Sequence, residues 1–152
     1  SVCRSEKETI VIESNIDDMT AELAAHVKTK LLEAGALDVW LENIQMKKDR
    51  PALKISILCP ISELERLAGI LFTESSTIGL RYYSVGRIEM SREMKTVKTP
   101  YGEVRVKIGR GLGAVNVAPE FEDCRLLAEK SGVPLKQIMA SACALSQKLI
   151  EE

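Results

Sequence analysis

The apolar positions along the first part of the chain switch between the period of a strand and the period of a helix. Residues 9–12 form a short β-branched run typical of a buried strand, and residues 14–18 end it with polar side chains. A helical face then recurs every fourth residue, and it consists of Met19, Leu23, Val27 and Leu31. Asp17, Asp18 or Thr20 can cap the amino end of this helix. The pattern therefore predicts strand, turn and helix.

The next strand shows a break in its alternation. Apolar side chains occupy every second position over residues 37–41 and then resume out of step at Ile44 and Met46. A strand keeps its apolar side chains on one face only while the period of two holds. The shift therefore predicts a bulge near Glu42 and Asn43.

Three further elements complete this part of the chain. Residues 53–59 alternate as a strand, residues 60–75 have the spacing of a helix, and residues 80–88 form another strand. The order βαββαβ over residues 9–90 predicts an α+β fold with a ferredoxin-like unit, an antiparallel sheet that carries two helices on one face. Many unrelated proteins share this architecture, so it indicates no function by itself.

Residues 91–152 are predicted to add a β-hairpin that turns at residues 100–102 and then two helices, all within one compact domain with the preceding unit. The last helix carries a long apolar stripe, so we expect it to dock on the first unit or on another subunit. The stripe comprises Leu135, Ile138, Met139, Ala142, Leu145 and Leu149. Residues 1–8 are polar and are expected to be a linker or the remnant of a longer chain.

Composition narrows the class of protein. The 152 residues are 45% hydrophobic and 28% charged, which suits one domain or two small units. No apolar run approaches the roughly 20 residues that span a bilayer, and no signal segment is evident, so we expect a cytoplasmic protein without membrane contact. The formal net charge is -1, with three tyrosines and two phenylalanines. This composition argues against nucleic-acid binding, which needs a basic surface or aromatic platforms.

Chemistry that depends on soft ligands or on a nucleophile has little support. The four cysteines are scattered without a CxxC pair, and His26 is the only histidine. A zinc site or a Ser/His/Asp triad therefore cannot be assembled, and no catalytic residue is assigned. A thiolate at Cys124 would suit nickel, but a single cysteine on a helix is more often a small core residue.

Oxygen ligands cluster at the turn after the first strand. Asp17 and Asp18 stand beside Asn15 and Thr20, and Glu22 follows one turn later, so a hard divalent cation could bind here. Helix capping explains the same acids, because carboxylates stabilise the amino end of a helix. On spacing alone, capping is the favoured interpretation.

Cations cluster in a second short segment. Lys47, Lys48 and Arg50 lie in one loop that could grip a triphosphate, although a solvated hairpin tip has the same composition. Arg81 and Lys107 are further candidates, and the sequence does not determine their distance from the loop. No Walker-type motif is present, so a nucleotide would be bound without a P-loop.

Six short segments occur in an order that is more specific than any one of these features. They are SNIDDM at residues 14–19, GALDVW at 35–40, MKKDRP at 46–51, STIGLR at 76–81, YGEVRVK at 101–107 and PEFEDC at 119–124. Together they resemble the nickel-insertion proteins of nickel-pincer cofactor synthesis, the LarC family, and they extend over most of the chain.

The resemblance implies the carboxy-terminal domain of a CTP-dependent nickel insertase, a cyclometallase of the lyase class. Such a protein places nickel into pyridinium-3,5-bisthiocarboxylic acid mononucleotide. Asp17 and Asp18 would bind the magnesium or manganese that accompanies CTP, and Glu120 and Asp123 would complete a second acidic wall. Nickel would be handled mainly by an N-terminal part of the same protein, and a homo-oligomer is expected.

The resemblance also implies roles for the basic residues. Those that would hold the phosphates are Lys47, Lys48, Arg50 and Arg81, whereas Lys107 is a candidate only from its place on the polar face of its strand. Asp49 stands where glycine is usual in the family. The alternative is a ferredoxin-like regulatory or oligomerisation module without activity of its own, for which an outward-facing Trp40 and the terminal apolar stripe argue.

Overall fold

The computed structural model describes residues 2–4 and 8–151 and divides into two compact units. Of the described residues, the first unit contains 8–87, and the second contains 88–151 together with 2–4. The structure thus has two compact units, whereas the sequence analysis expects one compact domain. Strand β1 (Val2–Arg4) belongs to the second unit, although residues 1–8 are assigned above to a linker.

The first unit has the predicted ferredoxin-like topology. Its elements are β2 (Thr9–Ile16), α1 (Ala21–Glu33), β3 (Asp38–Met46), β4 (Arg50–Pro60), α2 (Leu64–Glu74) and β5 (Arg81–Val85). The sheet order is β3-β4-β2-β5, and all neighbouring strands are antiparallel. Both helices pack on one face, where the buried core includes Ile10, Ile12, Val27, Leu31, Ile55, Ile57, Leu67 and Leu71.

Strand β3 is regular where a bulge is predicted. All nine of its residues pair in unbroken register with residues 50–58 of β4, so the bulge prediction near Glu42 and Asn43 is wrong. Because successive side chains alternate between the two faces, Asn43 lies in the same helix-facing row as Val39 and Leu41. Asn43 is therefore a polar residue on the helix-facing side of a strand whose pairing is regular.

The second unit is a four-stranded antiparallel sheet covered by two helices. Its remaining elements are β6 (Ile88–Thr99), β7 (Gly102–Gly111), β8 (Ala114–Pro119), α3 (Phe121–Ser131) and α4 (Leu135–Glu151). The strand order is β1-β6-β7-β8. The hairpin turn at residues 100–101 and the two helices agree with the sequence analysis, whereas β1 and β8 are additional strands.

The apolar stripe of α4 packs on the sheet of its own unit. Ile138 and Ala142 are fully buried in a core with Val104, Val106 and Ile108 of β7. The apolar face of this sheet needs a cover, and α4 supplies it. The stripe thus has a place inside its own unit, in contrast to the expected docking on the first unit or on another subunit.

None of the helices within residues 8–151 combines the length and the apolar character that a bilayer span requires.

Candidate functional site

Three of the six segments meet at one end of the sheet in the first unit. SNIDDM covers the end of β2, MKKDRP covers the hairpin between β3 and β4, and STIGLR leads into β5. Since β2 runs antiparallel to β4 and β5, its carboxyl end lies beside the amino ends of both strands. The topology therefore brings residues 14–19, 46–51 and 76–81 together.

The cap of α1 is Thr20, whose Oγ1 accepts a hydrogen bond from the Leu23 N–H at 3.2 Å. Asp17 and Asp18 precede the cap, and both are exposed. Of the three capping candidates, only Thr20 makes the capping hydrogen bond. A capping hydrogen bond therefore does not account for the two carboxylates, whose remaining structural role would be to stabilise the amino end of α1 by their charge.

The two carboxylates contact the neighbouring segments in different ways. Asp17 Oδ2 lies 3.6 Å from Nη1 of Arg50, at the start of β4. Asp18 Oδ1 accepts a hydrogen bond from Ser76 Oγ, in the loop before β5. The acidic turn and the basic loop, which the sequence alone cannot relate in space, are therefore in contact.

Two further cations of the basic loop are available to a ligand. Lys47 and Lys48 are exposed at the tip of the β3–β4 hairpin and form no ion pair with any residue in the described ranges. Arg50 stands at the base of the same hairpin and is exposed as well. The hairpin thus presents three positive charges beside the carboxylate of Asp17.

The hairpin tip holds two consecutive residues in the left-handed region, Lys48 with φ 59° and Asp49 with φ 56°. This conformation costs a residue with a Cβ about 1–2 kcal/mol, less for aspartate, and glycine adopts it freely. We expect Asp49→Gly to raise the free energy of unfolding by about 0.5–1 kcal/mol, even though it removes the 3.3 Å hydrogen bond from Gln45. Urea titration of the two proteins measures the difference.

The matched control for this prediction is Asp49→Ala, which removes the same hydrogen bond but keeps a Cβ in the left-handed region. We expect no stabilisation from alanine. If glycine and alanine had equal effects, the backbone conformation would not be the cause.

Arg81 lies at the same end of the sheet and is held by two acceptors on β2. Its Nε donates to Glu13 Oε2 at 2.8 Å, and its Nη2 donates to Asn15 Oδ1 at 3.2 Å. Its Nη1 makes no hydrogen bond to a residue of the described ranges. Arg81 is therefore oriented by the sheet and retains one nitrogen for an anionic ligand.

Glu13 is a further residue at this end of the sheet, and the sequence analysis did not single it out. Its side chain is only 12% exposed, and it accepts a hydrogen bond from the Tyr83 hydroxyl at 2.8 Å. Lys54 Nζ lies 3.8 Å from Glu13 and 3.1 Å from Glu42. Burial raises the pKa of Glu13, but the hydrogen bonds from Tyr83 and Arg81 and the charge of Lys54 outweigh it and hold the pKa below the ordinary 4.5. A charged residue inside the apolar run of β2 was the available signal.

The remaining predicted residues lie in the second unit and are ion-paired there. Both carboxylate oxygens of Asp123 accept from the Arg105 guanidinium, at 2.7 and 2.9 Å, and the Arg105 N–H donates as well at 2.9 Å. These bonds hold the pKa of Asp123 below its ordinary 3.8. Lys107 Nζ lies 3.5 Å from Glu120 Oε1. Arg105 belongs to YGEVRVK and was not singled out from the sequence.

Soft metal ligands do not converge in the described part of the chain. No group of three or more His, Cys, Asp or Glu side chains within it has the geometry to hold a metal ion. His26 is exposed and lies 3.6 Å from Glu74, while burial raises the pKa of the Cys59 and Cys124 thiols. Cys124 is a core residue, as its position on a helix indicated.

The donor set at the acidic turn fits one kind of ion. Asp17 and Asp18 supply only carboxylate oxygens. Hard divalent cations bind such oxygens more readily than softer metals do. Magnesium is commonly bound by one or two protein carboxylates together with phosphates of a substrate, and not by an all-protein cage. Two exposed carboxylates beside exposed cations match that arrangement.

Fold and site together define an α+β protein whose ferredoxin-like unit presents an acidic turn and a basic hairpin at one end of its sheet. The family model described as nickel insertion protein matches residues 2–139. The chain belongs to the nickel insertion protein family, and the resemblance of the six segments is confirmed.

Relatives and a solved structure agree with this assignment. The pyridinium-3,5-bisthiocarboxylic acid mononucleotide nickel insertion protein of Thermotoga sp. (strain RQ2) is 44% identical over 135 residues, which are 88% of this chain and 34% of that protein. A putative nickel insertion protein of Myxococcus xanthus (strain DK1622) is 47% identical over 135 residues, 88% of this chain and 35% of that protein. The chain thus spans about a third of the length of these curated relatives.

One similar solved structure is LarC2, described as the C-terminal domain of a cyclometallase involved in the synthesis of the NPN cofactor of lactate racemase, in its apo form. It superposes with a TM-score of 0.88 at 36% sequence identity, and the match covers 95% of this chain and 98% of that one. The α+β fold expected from the sequence is confirmed.

Proposed function

We propose that this chain is the CTP- and metal-binding C-terminal domain of a CTP-dependent nickel insertase, a cyclometallase of the lyase class. Its substrates would be nickel and pyridinium-3,5-bisthiocarboxylic acid mononucleotide, and its product the nickel-pincer cofactor. Membership of the nickel insertion family and the near-complete match to a cyclometallase C-terminal domain support the proposal. Cytoplasmic location and a homo-oligomeric state are part of it.

The observation that carries the proposal is the contact between the acidic turn and the basic hairpin. A nucleoside triphosphate with its divalent cation carries both signs of charge. Its site therefore needs carboxylates for the metal ion and cationic side chains for the phosphates, side by side. Asp17 and Asp18 would bind the magnesium or manganese, which neutralises phosphate charge when bound. Lys47 and Lys48 have no ion pair to give up within residues 8–151, so they would turn to the phosphates at little cost.

Arg50 and Arg81 would complete the set of cationic side chains that binds the phosphates. Arg50 already lies 3.6 Å from Asp17, so it links the cation ligands to the hairpin. Arg81 is oriented by Glu13 and Asn15, which limits the entropy that it loses on binding. Glu120 and Asp123 are assigned to the metal by resemblance only, and Lys107, which is paired with Glu120, is a candidate only by its place on the polar face of its strand.

Nickel itself would be held outside this chain, in the N-terminal part of the same protein. Nickel in proteins is commonly bound by thiolates and imidazoles. The cysteines at residues 59 and 124 are buried with raised pKa values, and the single histidine is paired with a glutamate. Cys143 is exposed but belongs to no group of metal-binding side chains among the described residues. The described side chains therefore suit the nucleotide and its hard cation better than the nickel.

One of the two arguments for a regulatory or oligomerisation module no longer holds. The terminal apolar stripe covers the sheet of its own unit, and only the half-buried Trp40 is left in its favour. Light scattering would detect an oligomer under either hypothesis. Ligand binding alone separates the two.

The test is isothermal titration of the chain with CTP in magnesium or manganese, repeated with a chelator. We expect saturable binding that requires the divalent cation. A folded chain that binds no CTP with either metal would overturn the proposal and favour the module.

A further inference from the structure

Strand β3 forms one edge of the sheet in the first unit. Among the strands of the described residues, only β4 pairs with it, and the sheet order is β3-β4-β2-β5. All nine residues of β3 are in unbroken register with β4. An edge strand presents a row of unpaired backbone N–H and C=O groups, to which a further strand can bind. The edge of β3 is therefore a long and regular template for another strand.

The composition of β3 does not oppose such pairing. Proteins commonly protect an edge strand with lysine, with proline or with a bulge. β3 has the sequence DVWLENIQM, in which Asp38 and Glu42 are the only charged residues and proline and glycine do not occur. Trp40 and Ile44 are half-buried on the sheet face opposite the helices. The opposite edge strand, β5, has only five residues and begins with Arg81.

One hydrogen bond indicates which backbone groups of β3 point to the open edge. The Val39 N–H donates to Oδ1 of Asp38 at 2.8 Å, so it is turned away from β4. The N–H and C=O of one residue in an antiparallel strand point to the same side, and every second residue repeats this direction. Leu41, Asn43 and Gln45 therefore present both groups to the open edge. Because the Val39 N–H already has an acceptor, the available part of the edge is centred on Asn43.

We propose that two copies of this chain pair through their β3 strands, antiparallel and with Asn43 on the two-fold axis. The two four-stranded sheets would then form one continuous sheet. Asn43 would exchange both backbone hydrogen bonds with Asn43 of the second copy, and Leu41 would exchange both with Gln45. Such a contact is isologous and closes on itself. It specifies the interface of the homo-oligomeric state proposed above and does not depend on nucleotide binding.

The available backbone groups and the charges select this register. A register centred on Glu42 would place the two Glu42 carboxylates directly opposite each other, which is destabilising. A register centred on Leu41 would need the N–H of Val39, which is bound to Asp38. Centring the pair on Asn43 avoids both problems and uses all three residues that point to the open edge.

The side chains and the strand ends match in the same register. Trp40 of one copy would lie opposite Met46 of the other, and both are half-buried and apolar. The exposed Asn43 carboxamides would meet at the axis, where each can donate to and accept from the other. β3 begins at Asp38 and leads into the basic segment of residues 47–50. Antiparallel pairing brings the acidic start of one strand beside the basic segment of the other, so the ends are complementary in charge.

The test is cysteine cross-linking under mild oxidation, measured on a non-reducing gel, in a chain with Cys3 and Cys143 changed to serine. Asn43→Cys places two thiols at the axis, where the Cα atoms of a hydrogen-bonded pair are about 5.5 Å apart and a disulfide can form. We expect a disulfide-linked dimer. The matched control is Gln45→Cys on the same edge. Its two copies would be roughly 13 Å apart along the strands, so we expect no cross-link.

Light scattering of the unaltered chain should give about twice the 16.8 kDa of one copy. Asn43→Pro removes the outward N–H and leaves the pairing with β4 intact, as proline does on an edge strand. We expect the dissociation constant of the dimer to rise at least about tenfold, because one hydrogen bond from each copy is lost. Asn43→Ala keeps the N–H and should stay dimeric. Circular dichroism checks that both variants are folded.

A monomeric unaltered chain would overturn the proposal. An oligomer that cross-links through Gln45→Cys and not through Asn43→Cys, or through neither, would also overturn it, whereas a larger assembly with the Asn43→Cys cross-link would contain the same contact. If Asn43→Pro does not fold, the two cysteine variants still decide the outcome. Failure of CTP binding is a separate result, because the cross-linking is measured without nucleotide.

Discussion

Replacing Asp17 with asparagine and Lys48 with alanine in one protein is expected to weaken the binding of CTP with magnesium by at least about 100-fold. The first change removes a charged oxygen ligand of the cation, and the second removes a cation from the phosphates. Contacts to charged groups contribute about 1.5–3 kcal/mol each, and 1.4 kcal/mol corresponds to a factor of ten. Isothermal titration of folded protein measures the loss.

A matched control keeps the change in charge and moves it away from the site. Glu33→Gln with Lys28→Ala, both on α1, removes one negative and one positive charge and touches none of the three converging segments. We expect the affinity of this control for CTP to stay within about twofold of the unaltered chain. Undiminished CTP binding by the Asp17 and Lys48 variant would remove both residues from the site.

Glu13→Ala is expected to lower the free energy of unfolding by about 1–3 kcal/mol, which urea denaturation measures. Glu13 is nearly buried and has Arg81, Lys54 and Tyr83 around it. Its removal leaves two cations side by side and a tyrosine hydroxyl without its acceptor. The lower part of the range reflects that Arg81 is half exposed, so water compensates part of the loss.

The same carboxylate makes a prediction about pH. Its pKa in the folded protein lies below the ordinary glutamate value of 4.5, so the ionised form stabilises the fold. That stabilisation is complete above pH 4.5 and is lost as the pH falls through the folded pKa. Glu13→Gln keeps an oxygen acceptor but cannot ionise. The difference in the free energy of unfolding between the unaltered chain and this variant should therefore be largest at neutral pH and become smaller below pH 4.5.

Urea denaturation of both proteins at several pH values measures this difference. A gap that stays constant down to low pH would mean that Glu13 acts through its shape and not through its charge.

The strands and helices were largely predictable because their patterns are local. The alternation in β2 and β4 and the fourfold spacing of α1 led to the correct ferredoxin-like topology. The bulge in β3 was predicted wrongly because a period count treats every polar residue as facing outward. Asn43 lies on the helix-facing side of β3 but is exposed, so a polar side chain is tolerated there without a bulge.

Contacts over long sequence distances were the part that could not be predicted. The choice among Thr20, Asp17 and Asp18 as the cap depends on where the backbone turns into the helix, and three adjacent polar residues offer the same chemistry. The terminal stripe of α4 indicated a partner without identifying it. The partner is the sheet of its own unit, which includes β8, a strand that the sequence analysis did not separate.

The sequence by itself determined the family, the α+β class and the chemical character of the two charged segments, since each depends on residues that are close in the chain. Only the tertiary structure decided that Asp17 lies beside Arg50 and that Glu13 orients Arg81. These relations follow from the register of antiparallel strands. Register is set by the packing of a whole sheet against its helices, and a one-residue slip would reverse every face.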